Sequence, residues 1–178
     1  MNDKNIIALC LSEKSKNPVE ILLKLTKALD CPVHNPVHHI LVGTALLTAY
    51  KNAGGELELE KALAELKSRA VVVPGGACGY WGACGAGISS GMFVSIVTGS
   101  NPLANEEWKL SNLMTASSLS AIGEVGGPRC CKRNSYIAIT QAVNFAKENL
   151  GVEMELSEIK CTHYLQNSQC IGARCPFR

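Results

Sequence analysis

Apolar residues recur every three or four positions along six stretches of the chain, a spacing that predicts amphipathic helices. Residues typical of helix ends separate these stretches. Asn17-Pro18 and Asn35-Pro36 each offer a capping residue followed by proline, and Gly54-Gly55 and Gly151 end helices. The predicted helices cover residues 18–29, 36–53, 57–69, 83–98, 105–122 and 128–150.

Alternation of apolar and polar residues with period two is rare, so we predict an all-α, bundle-like fold with glycine-rich loops. We expect one compact domain over residues 1–178. Its N-terminal segment, 1–17, is short and mixed, with 6–11 as a strand or half-helix. The link 71–73 can pair as a strand or end a helix. The tail, 160–178, loses helical periodicity, and we expect it to pack irregularly on the bundle.

Residues 74–99 hold eight of the sixteen glycines together with two cysteines. Because glycine weakens a helix by roughly 1 kcal/mol relative to alanine, this composition needs a compensating gain. In the loop 75–82, that gain is close approach of the backbone to a ligand. Farther along, small residues lie at every fourth position, which favours tight helix packing: Gly87, Gly91, Ser95 and Gly99.

Charge and hydropathy remove several classes of function. The net charge is +2 and no run of lysine or arginine exceeds two residues, which disfavours nucleic-acid binding. No apolar run approaches the roughly 18 residues of a membrane span. The first 18 residues lack a basic leader, so we expect no secretory signal and a cytoplasmic protein.

Nine cysteines are many for 178 residues, and in a reducing cytoplasm they favour metal or redox chemistry over structural disulfides. No two are spaced as CxxC, which argues against a thioredoxin-type dithiol and a standard zinc ribbon. Cys10 and Cys31 are expected to be small buried side chains. The other seven form three groups: Cys78 with Cys84, Cys130 with Cys131, and Cys161, Cys170 and Cys175.

In the first two groups a Gly-Gly turn precedes the cysteines and a helix start, and Arg129, Lys132 and Arg133 flank the second pair. Cations and helix N-termini favour thiolates, which soft metals require. Adjacent helical side chains diverge by about 100°, so Cys130 and Cys131 share one centre only at a frayed helix start.

If the three groups converge, they supply enough thiolates for one [4Fe–4S] cluster, with zinc as the alternative. His38 is a further metal-ligand candidate beside the seven cysteines. Arg129 and Lys132 are candidates for binding a small anionic ligand or stabilising the charge of a cluster.

Four cysteine-bearing stretches stand out: CPVHNPVHHILVGTA, GGACGYWGACGAGISSG, GEVGGPRCCKRNS and CIGARCPF. Through them the chain resembles a family of cysteine-rich proteins of unknown function from anaerobic bacteria and archaea. Some relatives carry this domain beside a radical S-adenosylmethionine module. The resemblance implies an oxygen-sensitive cytoplasmic role with a redox or radical-enzyme partner. The chain itself lacks the CxxxCxxC signature of a radical enzyme.

The sequence thus predicts an iron–sulfur or thiolate-metal protein acting in redox, sulfur-transfer or small-molecule chemistry. Two alternatives stay open: a binding or scaffold module with structural zinc, and a metal-free thiol redox protein. The substrate, the reaction and the oligomeric state are left open by the sequence.

Overall fold

The structure, a computed structural model, describes residues 3–178, with only the backbone at residues 3 and 4. Its helices are α1 (Asp3–Ser12), α2 (Pro18–Ala28), α3 (His38–Asn52), α4 (Leu59–Ala70), α5 (Ala77–Tyr80), α6 (Gly85–Thr98), α7 (Glu106–Val125) and α8 (Cys131–Leu150). Two short 3₁₀ turns follow, Tyr164–Gln166 and Gly172–Arg174. Over residues 3–178 there is no strand, so the all-α prediction is confirmed.

Two of the eight helices were not among the six predicted ones. Helix α1 occupies the segment where a strand or half-helix was expected, although residues 1 and 2 of the predicted 1–17 segment lie outside the described residues. Helix α5 is a single turn inside the glycine-rich loop, and it starts after Gly76, whose φ of +88° favours glycine. The link 71–73 is a turn rather than a strand.

Helix α3 lies at the centre of the molecule. Every residue from 41 to 50 is buried, because α1, α2, α4, α6 and α8 all pack around this helix. Leu41, Leu46 and Leu47 are fully buried, and each such side chain stabilises the fold by about 1.5–3 kcal/mol.

Helices α6 and α7 approach closely through small residues. A Cβ atom at Gly87 would lie 2.8 Å from a methyl group of Leu119, and one at Gly91 would overlap the hydroxyl of Thr115. Ser90 and Ser118 share a hydrogen bond of 2.8 Å across the same interface. The predicted packing role of Gly87 and Gly91 is therefore confirmed. For Gly99 it is wrong, because Gly99 ends α6 in the left-handed conformation and a Cβ atom there would meet none of the described residues within 4 Å.

An extended segment, residues 151–160, brings the tail back to the start of α8. Helix α8 has 20 residues and is about 30 Å long, and ten extended residues reach about 33–36 Å, enough to return. The backbone N–H of Glu155 donates to the carbonyl of Lys16 at 3.0 Å, and the Nδ2 of Asn17 donates to the hydroxyl of Ser157 at 2.8 Å.

The tail closes on itself and on α8. The backbone N–H of Cys161 donates to the carbonyl of Phe177 at 2.7 Å, which joins the two ends of the tail. The ring of Phe177 packs edge-on against Tyr136 of α8, with ring centres 5.4 Å apart. This ring contact places the end of the tail against α8.

Candidate functional site

The site is organised by the loop before α8. The side chain of Arg133 is only 3% exposed, and its Nη2 donates to the carbonyls of Gly126 at 2.8 Å and Pro128 at 2.9 Å. Both carbonyls are thereby held in a loop and α8 begins at Cys131, so the prediction that Pro128 opens the helix is wrong.

Cys130 is the N-terminal cap of α8 and has an extended backbone. Its sulfur accepts a hydrogen bond from the backbone N–H of Arg133 at 3.5 Å and another from the Nδ2 of Asn167, in the tail, at 3.6 Å. The sulfur takes the place of the oxygen that usually caps a helix, and it faces the tail.

Four cysteines line one partly open pocket between the start of α8 and the tail, which we call the tail pocket. Cys130 comes from the helix cap, and the other three come from the tail. The second and third predicted groups therefore meet, through Cys130. The full lining is Val33, Cys130, Lys132, Arg133, Tyr136, Cys161, His163, Tyr164, Asn167, Cys170, Ile171, Cys175 and Phe177.

The tail pocket is positively charged and lacks a balancing carboxylate. Lys132 is 2% exposed and Arg133 is 3% exposed, while none of the aspartate and glutamate side chains that the structure describes lines the pocket. Within the described part of the chain, the Nζ of Lys132 forms one hydrogen bond, to the carbonyl of Cys31 at 3.4 Å. Burial lowers the pKa of Lys132, because an ammonium ion without a charged partner is costly in the interior. A negative group in the pocket would remove that cost.

The sulfur atoms of the tail pocket lie within electrostatic reach of one another. Burial raises the pKa of Cys161, and the sulfurs of Cys130, Cys175 and Cys170 raise that pKa further, in this order. Burial likewise raises the pKa of Tyr136 to about 12. Without a metal the Cys161 thiol therefore resists ionisation, whereas a metal ion deprotonates a coordinating thiol.

The first cysteine group lies in a second, open depression, which we call the loop groove. Cys78 lies on α5 and Cys84 is the N-terminal cap of α6. The lining comprises Cys78, Gly79, Gly82, Cys84, Leu119, Ile122, Gly123, Gly126, Gly127, Arg129, Arg133 and Asn134.

A chain of hydrogen bonds fixes the sulfur of Cys84 in the loop groove. The Nδ2 of Asn134 donates to the Cys84 sulfur at 3.3 Å, and the Nε of Arg133 donates to the Oδ1 of Asn134 at 3.3 Å. Asn134 is 4% exposed, so its amide has little freedom to turn.

Two of the predicted ligands, Cys131 and His38, line neither depression. Burial raises the pKa of Cys131, and its hydrogen bond to the backbone of Asn35 opposes that rise.

His38 is 1% exposed and its Nδ1 donates to the carbonyl of Asn35 at 2.9 Å. Burial lowers the pKa of His38 to about 4, so the ring is neutral near pH 7. The sulfur of Cys31 lies 3.7 Å from the Nδ1 of His38.

Among residues 3–178, no three histidine, cysteine, aspartate or glutamate side chains are placed to hold a single metal ion. A zinc ion binds sulfur at about 2.3 Å in a tetrahedron, which requires sulfurs about 3.8 Å apart. No three of the described cysteines, including the four of the tail pocket, are placed in this way. In a cubane cluster each cysteine binds a different iron atom, so the ligand sulfurs are also farther apart.

The hydrogen-bond donors of the site were not found from the sequence. Asn167 bonds the Cys130 sulfur, and its Oδ1 accepts from the Nε2 of His34 at 3.0 Å, while the buried Nδ1 of His34 has no hydrogen-bond partner in the described chain. Asn134 has the matching role at Cys84. No periodicity or motif marks an asparagine for such a contact, since only the tertiary fold creates it.

A family model described as "Family of unknown function (DUF5714)" matches residues 6–178. No curated protein and no solved structure matches the chain. Within the described residues, every helix is too short or too polar to cross a membrane.

Proposed function

We propose that this chain, which belongs to the DUF5714 family of unknown function, holds an iron–sulfur cluster of the [4Fe–4S] type in the tail pocket and serves in redox chemistry. One observation carries the proposal. Four cysteines and two buried cations line the same pocket, and no carboxylate of the described side chains lines it.

The proposed ligands are Cys130, Cys161, Cys170 and Cys175. Four thiolates bring four negative charges, and the cluster core offsets only part of them, so the complex is an anion. Lys132 and Arg133 would then balance that charge. Cys78, Cys84, Cys131 and His38 are not ligands in this proposal, because none of them lines the tail pocket.

The surroundings of the sulfurs suit a redox centre. When bound, such a cluster exchanges single electrons, at a potential set by hydrogen bonds to its sulfurs and by exclusion of water. Asn167 and the backbone of Arg133 donate to the Cys130 sulfur. The side chains of Tyr136 and Phe177 form an apolar wall of the pocket.

The proposal includes a reducing, cytoplasmic environment and a partner protein that exchanges electrons with the cluster. The resemblance noted for the cysteine-bearing stretches favours an anaerobic host and a radical-enzyme partner. Structural zinc remains the alternative metal, and a metal-free thiol redox protein is the other alternative.

Metal analysis of the full chain tests the proposal. After anaerobic purification or cluster reconstitution, we expect about four iron and four sulfide ions per chain and a visible absorbance that dithionite bleaches. Cys161→Ala should lose most of the iron, because it removes a ligand. The matched control, Cys78→Ala, changes an equally half-buried cysteine of the loop groove and should keep all of it.

Other results would contradict the proposal in distinguishable ways. One zinc ion per chain without iron would establish the scaffold alternative. Colourless protein without either metal after reconstitution would leave only thiol chemistry. Iron loss in Cys78→Ala, with the helical circular dichroism unchanged, would show that the ligand set is wrong.

A further inference from the structure

We infer that the loop groove is a binding site for a small organic anion and presents the thiol of Cys84 to that molecule. The site is separate from the tail pocket, although both include Arg133. The inference does not depend on the presence of a cluster.

Charge is the first argument. Arg129 and Arg133 line the loop groove, and no acidic residue does. Arg129 is exposed and forms no hydrogen bond or ion pair within residues 3–178. Arg133 is buried, and its hydrogen bonds use Nε and Nη2, which leaves the N–H groups of Nη1 for a ligand. Two guanidinium groups at one groove favour a carboxylate or phosphate.

Glycines supply the second argument. Gly79, Gly123 and Gly127 line the groove, yet a Cβ atom at any of them would meet nothing within 4 Å, and none has a positive φ. Neither packing nor backbone conformation within the chain therefore requires glycine there. Gly123 lies inside α7, where glycine costs about 1 kcal/mol relative to alanine. Close approach of a ligand to the backbone accounts for all three.

The orientation of Asn134 supplies the third argument. The Nε of Arg133 can only donate, so it requires the oxygen of the Asn134 amide on its side. The amide N–H must then face the sulfur of Cys84. A donor in that position stabilises negative charge on sulfur, which is the nucleophilic form of a cysteine. The groove therefore combines an anion-binding wall with a sulfur that accepts an oriented hydrogen bond.

Alkylation with a charged and a neutral reagent tests the inference on the full, anaerobically purified chain. Iodoacetate and iodoacetamide both form an S–C bond to the thiolate and release iodide, but only iodoacetate carries a carboxylate. At Cys84 we expect the ratio of the iodoacetate to the iodoacetamide rate to exceed that of free glutathione by at least about tenfold. Peptide mass spectrometry gives both rates.

Protection experiments define the anion. Excess acetate should slow the reaction of Cys84 with iodoacetate if the site prefers a carboxylate, and inorganic phosphate should slow it more if the site prefers a phosphate. Protection by neither salt would contradict an anion site.

The variant Arg129→Ala tests whether the positive charge of the groove causes the preference of Cys84 for iodoacetate. It should lower the rate ratio at Cys84 to the glutathione value, and any change in thiolate formation cancels in that ratio because it affects both reagents equally. The matched control is Arg174→Ala, an exposed arginine of the tail that does not line the groove; it should change neither rate.

An unaltered ratio in Arg129→Ala, or a wild-type ratio equal to that of glutathione, would overturn the inference. Iron is measured in the same samples. A protein that retains iron but shows no anion preference therefore counts against the groove alone, and one that lacks iron but shows the preference counts against the cluster alone.

Discussion

The tail pocket and the loop groove are formed by opposite sides of one helical turn. Lys132 and Asn134 are two residues apart in α8, so their side chains point about 200° apart around the helix axis. Lys132 enters the pocket of four cysteines, and Asn134 enters the more open groove of two. One short sequence thus supports two environments that differ in access to water.

The two regions use the same hydrogen-bond arrangement at sulfur. At the tail pocket His34 donates to Asn167, which donates to Cys130; at the groove Arg133 donates to Asn134, which donates to Cys84. The difference lies in what surrounds each sulfur. Cys130 faces three further cysteines, whereas Cys84 faces glycines and a free guanidinium group. The same oriented amide thus accompanies the proposed metal ligand Cys130 and the proposed nucleophile Cys84, and their neighbours distinguish the two proposals.

The largest expected effect comes from Lys132→Met, which tests the charge of the tail pocket. Without metal, the variant should be more stable than wild type by about 2–4 kcal/mol, because it removes a buried cation that has no charged partner. With the cluster bound, the same change should weaken cluster retention, because it removes the balancing charge. Denaturant unfolding of both forms measures the two effects.

The matched control for this change is Lys51→Met, at an exposed position of α3. It should alter the free energy of unfolding by less than about 0.5 kcal/mol in either form. A Lys132→Met variant that is less stable than wild type without metal would show that the buried cation already has a compensating partner.

The second-largest effect compares a glycine in a close helix contact, Gly91, with a glycine that faces open space, Gly123. Gly91→Ala should lower the free energy of unfolding by about 1–3 kcal/mol, because the new methyl group would overlap Thr115. Gly123→Ala meets open space inside α7 and should raise it by about 0.5–1 kcal/mol. The same variant should slow alkylation of Cys84 by iodoacetate, since the methyl group enters the groove. A destabilised Gly123→Ala would assign that glycine to packing.

The smallest effect compares the two asparagines. Asn167→Ala removes a hydrogen bond to the Cys130 sulfur and should lower the reduction potential of the cluster by roughly 30–60 mV, the equivalent of up to about tenfold for one electron. Asn134→Ala removes the equivalent bond at Cys84 and should leave the potential within about 10 mV. Redox titration followed by electron paramagnetic resonance measures the reduction potential of each variant. Equal shifts in the two variants would indicate that both asparagines bond sulfurs of the same redox centre.

Local patterns predicted the helices because their causes are local. Asn17-Pro18 starts α2, and glycines end α6 and α8, at or within a residue or two of the expected positions. The start of α8 was misplaced because Arg133 holds the preceding loop through a contact that no periodicity reveals. The single-turn helix α5 was missed because glycine-rich sequence normally predicts a loop.

The candidate site was only partly predictable for a similar reason. The divergence of Cys130 and Cys131 follows from helix geometry, and the structure sends one sulfur to the tail pocket and the other toward Asn35. That the tail cysteines meet Cys130 rather than Cys84 depends on the length and path of residues 151–160. That path is a property of the assembled bundle, which spacing along the chain does not encode.

Asn17 caps α2 and also contacts a residue from a distant part of the chain. Its Oδ1 accepts from the backbone N–H of Val19 at 2.9 Å, as the oxygen of aspartate or serine would at a helix start. Its Nδ2 donates to the hydroxyl of Ser157, 140 residues away; a serine cap has no second group for this contact, and an aspartate cap would need the Ser157 hydroxyl to donate instead. Residues that are interchangeable as helix caps are therefore not interchangeable here, because the residue at position 17 must cap α2 and also bond Ser157 near the other end of the chain.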